Sequence, residues 1–300
     1  MNNIKTVFSI KDLENLSGIK AHTIRIWEKR YNVLQPMRTQ TNIREYDVAN
    51  LQKLLNITLL HNHGYKISKI SKLPPERIPQ LVKEIVSQKN SKVHAVNAFK
   101  MAMINFDQTH FLNTYNALLN NHSFRDIFYE VFIPLMNEMG LLWQTDTITP
   151  AQEHFISHLV KQKIMVNTEK IQLVEPLYTD TVYVLFLPIN EIHELGLMYI
   201  NYELLSRGHK TIYLGESVPA ENLKDLQRHF EHLVFITYTT VQPDYDYINE
   251  YLDAVDRLVL ENDSELWILG KQTQYIDTAK LSKRIRVFRS IPEVFSNELS

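Results

Sequence analysis

The spacing of apolar residues changes character twice along the chain. Up to residue 61, short helical patterns alternate with a turn-rich segment, and from residue 78 to residue 160 apolar residues recur at helical spacing. Beyond residue 180, short apolar and β-branched runs alternate with helical stretches. We therefore predict a multidomain α and α/β protein, with a winged helix-turn-helix head at 1–75, a four-helix-type bundle at 76–175 and a doubly wound parallel sheet at 176–300.

The head has the spacing of two helices joined by a tight turn and followed by a basic wing. Helices are predicted at 8–18, 20–31 and 48–61, and the β wing at 36–46. In the second helix we expect Ile26 and Trp27 to anchor the core, while its cations and hydroxyls bind phosphates or base edges. The residues expected to contact double-stranded DNA are Lys20, His22, Thr23, Arg25, Arg30, Arg38, Arg44 and Tyr46.

In the last part of the chain, the pattern of short apolar runs separated by helical stretches predicts alternating strands and helices. This alternation is typical of parallel strands with helices on both faces of the sheet. Pro74 and Pro75 mark the boundary before the bundle, and the polar segment 175–181 marks the boundary before the sheet. Strands are predicted at 182–187, 211–214, 233–237, 266–269 and 285–288, and helical stretches near 192–206, 219–230, 243–260 and 275–282.

Composition and charge narrow the classes of function. The chain of 300 residues has no cysteine, which excludes disulfides, thiolate metal sites and cysteine nucleophiles. No apolar run is long enough to span a bilayer and the N-terminus has no signal-peptide pattern, so we predict a soluble cytoplasmic protein with no membrane partner. The net charge of −2 combines +7 in residues 1–75 with −9 in residues 76–300, and a basic head on an acidic body fits a protein that binds a polyanion.

Two groups of residues can carry ligand chemistry. His193 follows the apolar run 182–187, and side chains at the carboxyl end of a buried strand face the crevice where α/β sheets bind ligands. Imidazole is a good ligand for a transition metal, although a lone histidine is more often a surface or loop-capping residue. Two predicted helix ends bring Trp143, Glu153 and His154 to one edge of the bundle. His154 also stands four residues before His158, a spacing that can chelate zinc, but a third ligand is not evident.

The head resembles that of MerR-type regulators. The resemblance rests on the segment TIRIWEKRY at 23–31, followed by Leu34, Pro36, Arg38, Arg44 and Tyr46, and it covers about 70 residues. It implies a winged helix-turn-helix that binds paired DNA half-sites as a dimer. The long pairing helix that commonly follows such heads is interrupted here by prolines at 74, 75 and 79, which leaves the dimer geometry open.

Two further motifs resemble those of cobalamin proteins. Glu191-x-His193-x-x-Gly196 resembles the cobalamin-binding motif of flavodoxin-like domains, and Trp143-x9-Glu153-His154 is similar to the motif of cobalamin-dependent MerR-type photoreceptor regulators, the CarH, CarA and LitR class. The resemblance implies adenosylcobalamin as the cofactor, with His193 as the lower ligand of cobalt, Gly196 as clearance for the nucleotide tail and the bundle over the upper face. Thr237 would supply a hydroxyl at the end of the third strand, with Tyr238 and Thr239 as alternatives. The implied cofactor-binding residues are Trp143, Glu153, His154, Glu191, His193, Gly196, Thr237 and Gly270.

The resemblance implies a transcriptional regulator controlled by adenosylcobalamin, with light as the signal, self-association as a dimer or tetramer, and no enzyme activity. The sequence departs from the family in two places: Lys271 follows Gly270 where paired glycines are common, and Gln144 stands where light-sensing members often carry a histidine. These departures keep open a regulator of the same architecture that does not bind cobalamin, or does not respond to light, and works through protein contacts. A cobalamin enzyme module would usually need a barrel of about 250 residues as its substrate domain, for which this chain has no room.

Overall fold

The first helices of the chain form because their ends are capped by local hydrogen bonds. The structure is a computed structural model that describes residues 7–88, 91–261 and 263–297. Ser9 and Asp12 form a reciprocal capping box at the start of the first helix, and Gly18 ends that helix with a φ of 74°. The head consists of β1 (Val7–Phe8), α1 (Ile10–Ser17), α2 (Ala21–Tyr31), β2 (Met37–Arg38), β3 (Arg44–Asp47), α3 (Val48–Asn62) and α4 (Ile67–Ile70). The strands form an antiparallel sheet in the order β1-β3-β2, which is the expected wing.

The core of the head uses a different residue of α2 from the one expected. Ile24 and Trp27 are buried, three positions apart on one face of the helix. Ile26 is 52% exposed, so the expectation that it anchors the core is wrong. A residue two positions from Ile24 necessarily points away from the face that Ile24 and Trp27 share.

Aromatic packing holds the helical bundle together. The rings of Phe99 and Phe111 lie 4.7 Å apart between centroids, and the ring of Phe132 lies 5.7 Å from Phe99. A π-helical turn, Phe128–Phe132, runs directly into the helix that carries Pro134 near its start. Proline has no backbone N–H to donate, which favours a local change of helix pattern at this point. The bundle helices are α5 (Arg77–Gln88), α6 (Ser91–Asn105), α7 (Gln108–Leu119), α8 (Phe124–Ile127), α9 (Ile133–Gln144) and α10 (Pro150–Gln172).

The strands of the C-terminal part form a five-stranded parallel sheet in the order β5-β4-β6-β7-β8. The chain moves to one side of β4 first and then to the other, so the order reverses at β4 and β6, and open sheets of this type bind ligands at that switch point. Its strands are β4 (Tyr178–Phe186), β5 (His209–Gly215), β6 (Leu233–Tyr238), β7 (Glu265–Leu269) and β8 (Ile285–Val287). The helices are α11 (Leu195–Ser206), α12 (Ile248–Leu258) and α13 (Ile291–Asn297), with 3₁₀ helices at Ala220–Arg228 and Lys271–Tyr275.

Three predicted segments differ from the structure. The stretch 219–230 is a 3₁₀ helix rather than an α-helix, and most of 275–282 is a loop with turns. In that loop Asp277 receives a bond from the N–H of Ala279 at 3.3 Å and donates its own N–H to Asn249 at 2.8 Å, so local polar side chains take up the backbone donors that a helix would use. The segment 175–181 is not wholly a linker, because β4 begins at Tyr178.

The chain divides into two compact units, Met1–Val160 and Lys161–Ser300. The predicted three-part division at 75/76 and 175/176 remains a prediction. Within the described ranges, no helix combines the length and the apolarity that crossing a bilayer requires.

Candidate functional site

The loop between β4 and α11 is built around the buried carboxylate of Glu191. One oxygen, Oε1, accepts the N–H groups of Ile192 and His193, both at 3.0 Å, and the ring nitrogen Nδ1 of His193 at 2.6 Å. The other oxygen, Oε2, accepts the N–H groups of residues 240, 241 and 242 at 2.9, 2.7 and 2.8 Å. Glu191 is 0% exposed, so this one side chain ties the loop after β4 to the loop after β6 at the switch point of the sheet.

The negative charge of Glu191 determines which nitrogen of the His193 ring carries the proton. Burial opposes ionisation of Glu191, but the bonds from His193 and from the backbone of Gln242 and Val241 outweigh it and lower the pKa of Glu191 to about 2. An ionised carboxylate can only accept, so the Nδ1 of neutral His193 must carry the proton and its lone pair is on Nε2. The His193 side chain is 50% exposed. This is the arrangement in which a carboxylate bound to one ring nitrogen orients a histidine whose other nitrogen binds a metal.

A second charged cluster holds the residue that follows His193. Glu194 is paired with Lys161 and accepts the hydroxyl of Tyr213 at 3.0 Å. Burial opposes ionisation of Glu194, but bonds with Glu216 and Lys161 lower its pKa, and the shared bond raises the pKa of Glu216. Burial and the nearby Glu194 raise the pKa of Tyr213. Glu194 is the residue that directly precedes α11, so the cluster holds the chain at the point where the imidazole loop ends and the helix begins.

The space beside Gly196 is occupied by the chain itself. A Cβ at this position would lie 2.7 Å from the Cε2 and Cζ atoms of the Tyr238 ring. Thr237 is not brought to this space, because successive strand residues face opposite sides and Thr237 shares a face with Phe235, towards α12. The Thr237 hydroxyl is buried with no hydrogen-bond partner among the described residues, and its role in cofactor binding remains a prediction.

Gly270 has a reason within the chain to be glycine. Its φ is 106°, and a Cβ there would collide with the backbone carbonyl of Thr239. Thr239 in turn donates its N–H and its hydroxyl to the carbonyl of Leu269, at 2.8 and 3.1 Å. The cofactor role expected of Gly270 therefore stays a prediction. Lys271 is exposed at the start of the 3₁₀ helix that follows.

The bundle residues expected at the upper face lie near the ends of successive helices. Trp143 is exposed at the end of α9, and Glu153 and His154 lie in the first turns of α10. Glu153 is 2.9 Å from Nδ1 of His154 and accepts the hydroxyl of Ser157 at 2.6 Å. No group of three or more histidine or acidic side chains that could hold a metal ion was found in the part of the chain that the structure describes, so nothing supports the zinc alternative at His154 and His158. The side chain of Gln144 lies outside the described residues.

Most of the residues expected to contact DNA are on the surface of the head. Arg38 donates to Asn42 at 2.6 Å, which orders the turn of the wing. Thr23 is half-buried, with its hydroxyl 3.3 Å from the ring of His22. The exposed members of the predicted set are Lys20, His22, Arg25, Arg30 and Arg38.

Tyr46 is a core residue and not a DNA contact. It is 0% exposed, and its hydroxyl donates to Oε2 of Glu28 at 2.9 Å. Arg44 donates to the same carboxylate at 2.9 Å and is partly buried, so its Nε is already engaged within the head. Sequence reasoning missed this because a tyrosine in a basic, turn-rich segment has the same pattern whether it faces DNA or the core.

Comparisons with known proteins identify the family of the chain. The family described as MerR HTH family regulatory protein matches residues 8–76, and the family described as B12 binding domain matches residues 95–166. Over 226 residues the chain is 30% identical to the HTH-type transcriptional repressor CarH of Myxococcus xanthus, covering 72% of this chain and 73% of CarH. The chain belongs to the family of HTH-type transcriptional repressors that includes CarH.

A second relative of this CarH-type regulator supports the same family, and a solved structure shares its fold. It is 24% identical over 221 residues to the HTH-type transcriptional repressor CarA of Myxococcus xanthus, covering 72% of this chain and 70% of CarA. Its fold is shared with the monomethylamine corrinoid protein of Methanosarcina barkeri, with a TM-score of 0.54 and 14% identity, over 66% of this chain and 93% of that chain. The regulator therefore has a DNA-binding MerR-type head and a cobalamin-binding part, and the predicted fold class and family are confirmed.

The head of the regulator is joined to the bundle by buried and partly buried polar contacts that the sequence did not predict. Lys100 of α6 is buried, and its ammonium donates to the carbonyl of Leu16 at 3.1 Å and to Glu138 of α9 at 2.5 Å. The amide of Asn15 donates to the hydroxyl of Thr147, just beyond α9, at 2.9 Å. Both contacts end on α1, so the helix that carries Trp143 is linked to the first helix of the DNA-binding head.

Proposed function

We propose that this regulator is a repressor whose affinity for its DNA operator depends on adenosylcobalamin and is lowered by light. The observation that carries the proposal is the bond from His193 Nδ1 to Glu191, which leaves the lone pair of the neutral ring on Nε2 at the switch point of the sheet. The family match to a B12 binding domain adds support for cobalamin as the ligand.

The residues of the chain fit cobalt ligation. His193 would hold the cobalt through Nε2, and Glu191 would keep the ring oriented and its proton on Nδ1. Trp143, Glu153 and His154 would hold the adenosyl group. When bound, adenosylcobalamin supplies a cobalt–carbon bond that visible light breaks. Trp143 would hold the adenosyl group only while the cofactor is intact, and Lys100 would connect the helix that carries Trp143 to the head.

On the DNA side, we propose that self-association presents several heads to paired half-sites. Linking binding modules raises overall affinity without any new contact, so loss of the assembly would weaken operator binding. The exposed arginines Arg25, Arg30 and Arg38 are proposed to contact the DNA. We propose that the protein works in the cytoplasm and has no enzyme activity of its own.

The test of cobalt ligation is the variant His193→Ala, purified with adenosylcobalamin in darkness. The wild-type protein is expected to retain a coloured complex after gel filtration, and His193→Ala is expected to lose it or to show the spectrum of a corrinoid without a histidine ligand. His232→Ala, at an exposed histidine of the same part of the chain, is the matched control and should behave as wild type. A bound spectrum unchanged in His193→Ala would contradict the ligand assignment.

Light dependence is tested separately, by illuminating the loaded protein and measuring its size and operator affinity. A decrease in both is expected. Gln144 and Lys271 favour a second candidate, a regulator of the same family that binds a corrinoid without a light response or works through protein contacts. A stable complex whose size and operator affinity do not change on illumination would favour that candidate.

A further inference from the structure

We propose that Tyr238 is a specificity residue that excludes the nucleotide tail of a corrinoid from the space beside Gly196. The site would then bind the corrin ring through His193 while favouring corrinoids whose lower nucleotide is absent or stays outside the protein. This inference rests on the proposed function and narrows its ligand class.

The Tyr238 ring lies beside Gly196. Tyr238 is the last residue of β6, and its ring lies against the first turn of α11. A Cβ at Gly196 would be 2.7 Å from two ring carbons and 3.0 Å from Cδ2, which means that the ring packs directly on the glycine backbone. The absence of a side chain at Gly196 is therefore used by Tyr238 and does not leave an open channel.

The nucleotide tail of a bound corrinoid would have to enter beside Gly196. A corrinoid coordinated by His193 has its own lower base displaced, and the nucleotide remains attached to the ring on the His193 side. The first residue without a side chain after His193 is Gly196, three residues further on and in the first turn of the helix that follows the loop. A tail entering beside Gly196 must displace the Tyr238 ring.

The Tyr238 ring is not easily displaced. It is half-buried, and burial raises the pKa of its hydroxyl. Tyr238 is also held in the sheet, because its backbone pairs with Leu269 of β7. The neighbouring loop is fixed by the bonds from residues 240 to 242 to Glu191, so the backbone cannot swing the ring away without breaking the clamp on His193.

The test compares two ligands of the full chain, adenosylcobalamin and adenosylcobinamide, which has the same corrin ring and upper ligand but no nucleotide. Dissociation constants are measured in darkness by titration, with the absorption spectrum as a second readout of histidine coordination. The wild-type protein is expected to bind adenosylcobinamide at least as tightly as adenosylcobalamin. In Tyr238→Ala the affinity for adenosylcobalamin is expected to rise about tenfold or more relative to adenosylcobinamide, because the overpacking against the tail is removed.

Two controls keep the result unambiguous. Tyr238→Phe keeps the ring and should show the wild-type ratio of affinities, and Tyr245→Ala removes an exposed ring elsewhere in the same part of the chain and should also leave the ratio unchanged. A wild-type protein that binds adenosylcobalamin about tenfold or more tightly than adenosylcobinamide would overturn the inference, even if Tyr238→Ala failed to fold. So would a ratio unchanged in Tyr238→Ala. Wild-type protein that binds neither corrinoid would overturn the proposed function, and this inference with it.

Discussion

Glu191 shows how much of this site depends on one side chain. Its two oxygens each accept three hydrogen bonds, one set from the His193 loop and the other from residues 240 to 242. An ionised carboxylate is suited to this position because it has only acceptors, whereas an amide would bring two N–H donors against other donors. The carboxylate therefore orients the imidazole and joins two loops at once.

Replacing Glu191 with glutamine is expected to raise the dissociation constant for a corrinoid about 10- to 100-fold, the usual range when a metal-ligating histidine loses the carboxylate that orients its ring. The measurement is a titration of the full chain in darkness with adenosylcobinamide, which does not involve the tail. Glu221→Gln, at an exposed residue of the same part of the chain, is the control. Wild-type affinity in Glu191→Gln would mean that the clamp does not orient the ligand.

Tyr46 allows a test of the corrected assignment in the head. Its hydroxyl donates to the carboxylate of Glu28, so Tyr46→Phe is expected to lower the free energy of unfolding by about 1–2 kcal/mol. Operator affinity of the folded protein should be unchanged, whereas Arg25→Ala should weaken it and reduce its dependence on salt. Chemical denaturation and titrations at two salt concentrations provide the measurements. Operator affinity that falls in Tyr46→Phe as far as in Arg25→Ala would return Tyr46 to the DNA surface.

At the level of single residues, motifs of neighbouring residues could be predicted from the sequence. Contacts between residues far apart in the chain could not. His193 and Glu191 could be predicted because they lie two positions apart at a strand end. The other half of the clamp comes from residues about 50 positions later, and no local pattern indicates which backbone amides will face a carboxylate. The Tyr238 ring at Gly196 is likewise a contact between distant parts of the chain.

Among the helices and strands, those with clear periodicity were predicted and those shaped by local polar contacts were not. The five strands and their parallel pairing follow from alternating apolar runs and helices. The segment 275–282 has a helix-like composition, but Asn249 and Asp277 bind its backbone donors. The π-helical turn Phe128–Phe132 left no mark in the apolar spacing, because its residues still pack into the bundle.

The junction between α1 and the end of α9 is the element through which the bundle can act on the head. Asn15→Ala removes the bond to Thr147 and is expected to reduce the difference in operator affinity between dark and illuminated protein. Thr147→Val should have the same effect, although it also removes the bond between the Thr145 and Thr147 hydroxyls at 3.0 Å. The double variant should add little to Thr147→Val, because the bond between Asn15 and Thr147 is already lost there. Asn62→Ala, an exposed asparagine of the head, is the control. Unchanged dark and light affinities in all variants would show that the signal reaches the head by another route.

For the whole molecule, family and architecture were open to prediction because several independent motifs occur in order along one chain. The MerR-type head and the Trp143 motif fall within two different family matches, at 8–76 and 95–166, and the His193 motif follows them along the chain. The division of charge between a basic head and an acidic remainder agrees with the assignment of the head. Each motif also sits in the kind of element that its chemistry needs. The sequence could not supply the interior of the ligand site, since that depends on which side chain fills each gap.

Because the Tyr238 ring packs on Gly196, this regulator would not distinguish corrinoids by their lower base. Natural corrinoids share one macrocycle and differ chiefly in the base attached beneath it. A sensor whose site excludes that base recognises the macrocycle alone. It would respond equally to cobalamin made by the cell, to imported corrinoids with other bases and to biosynthetic precursors that still lack the base.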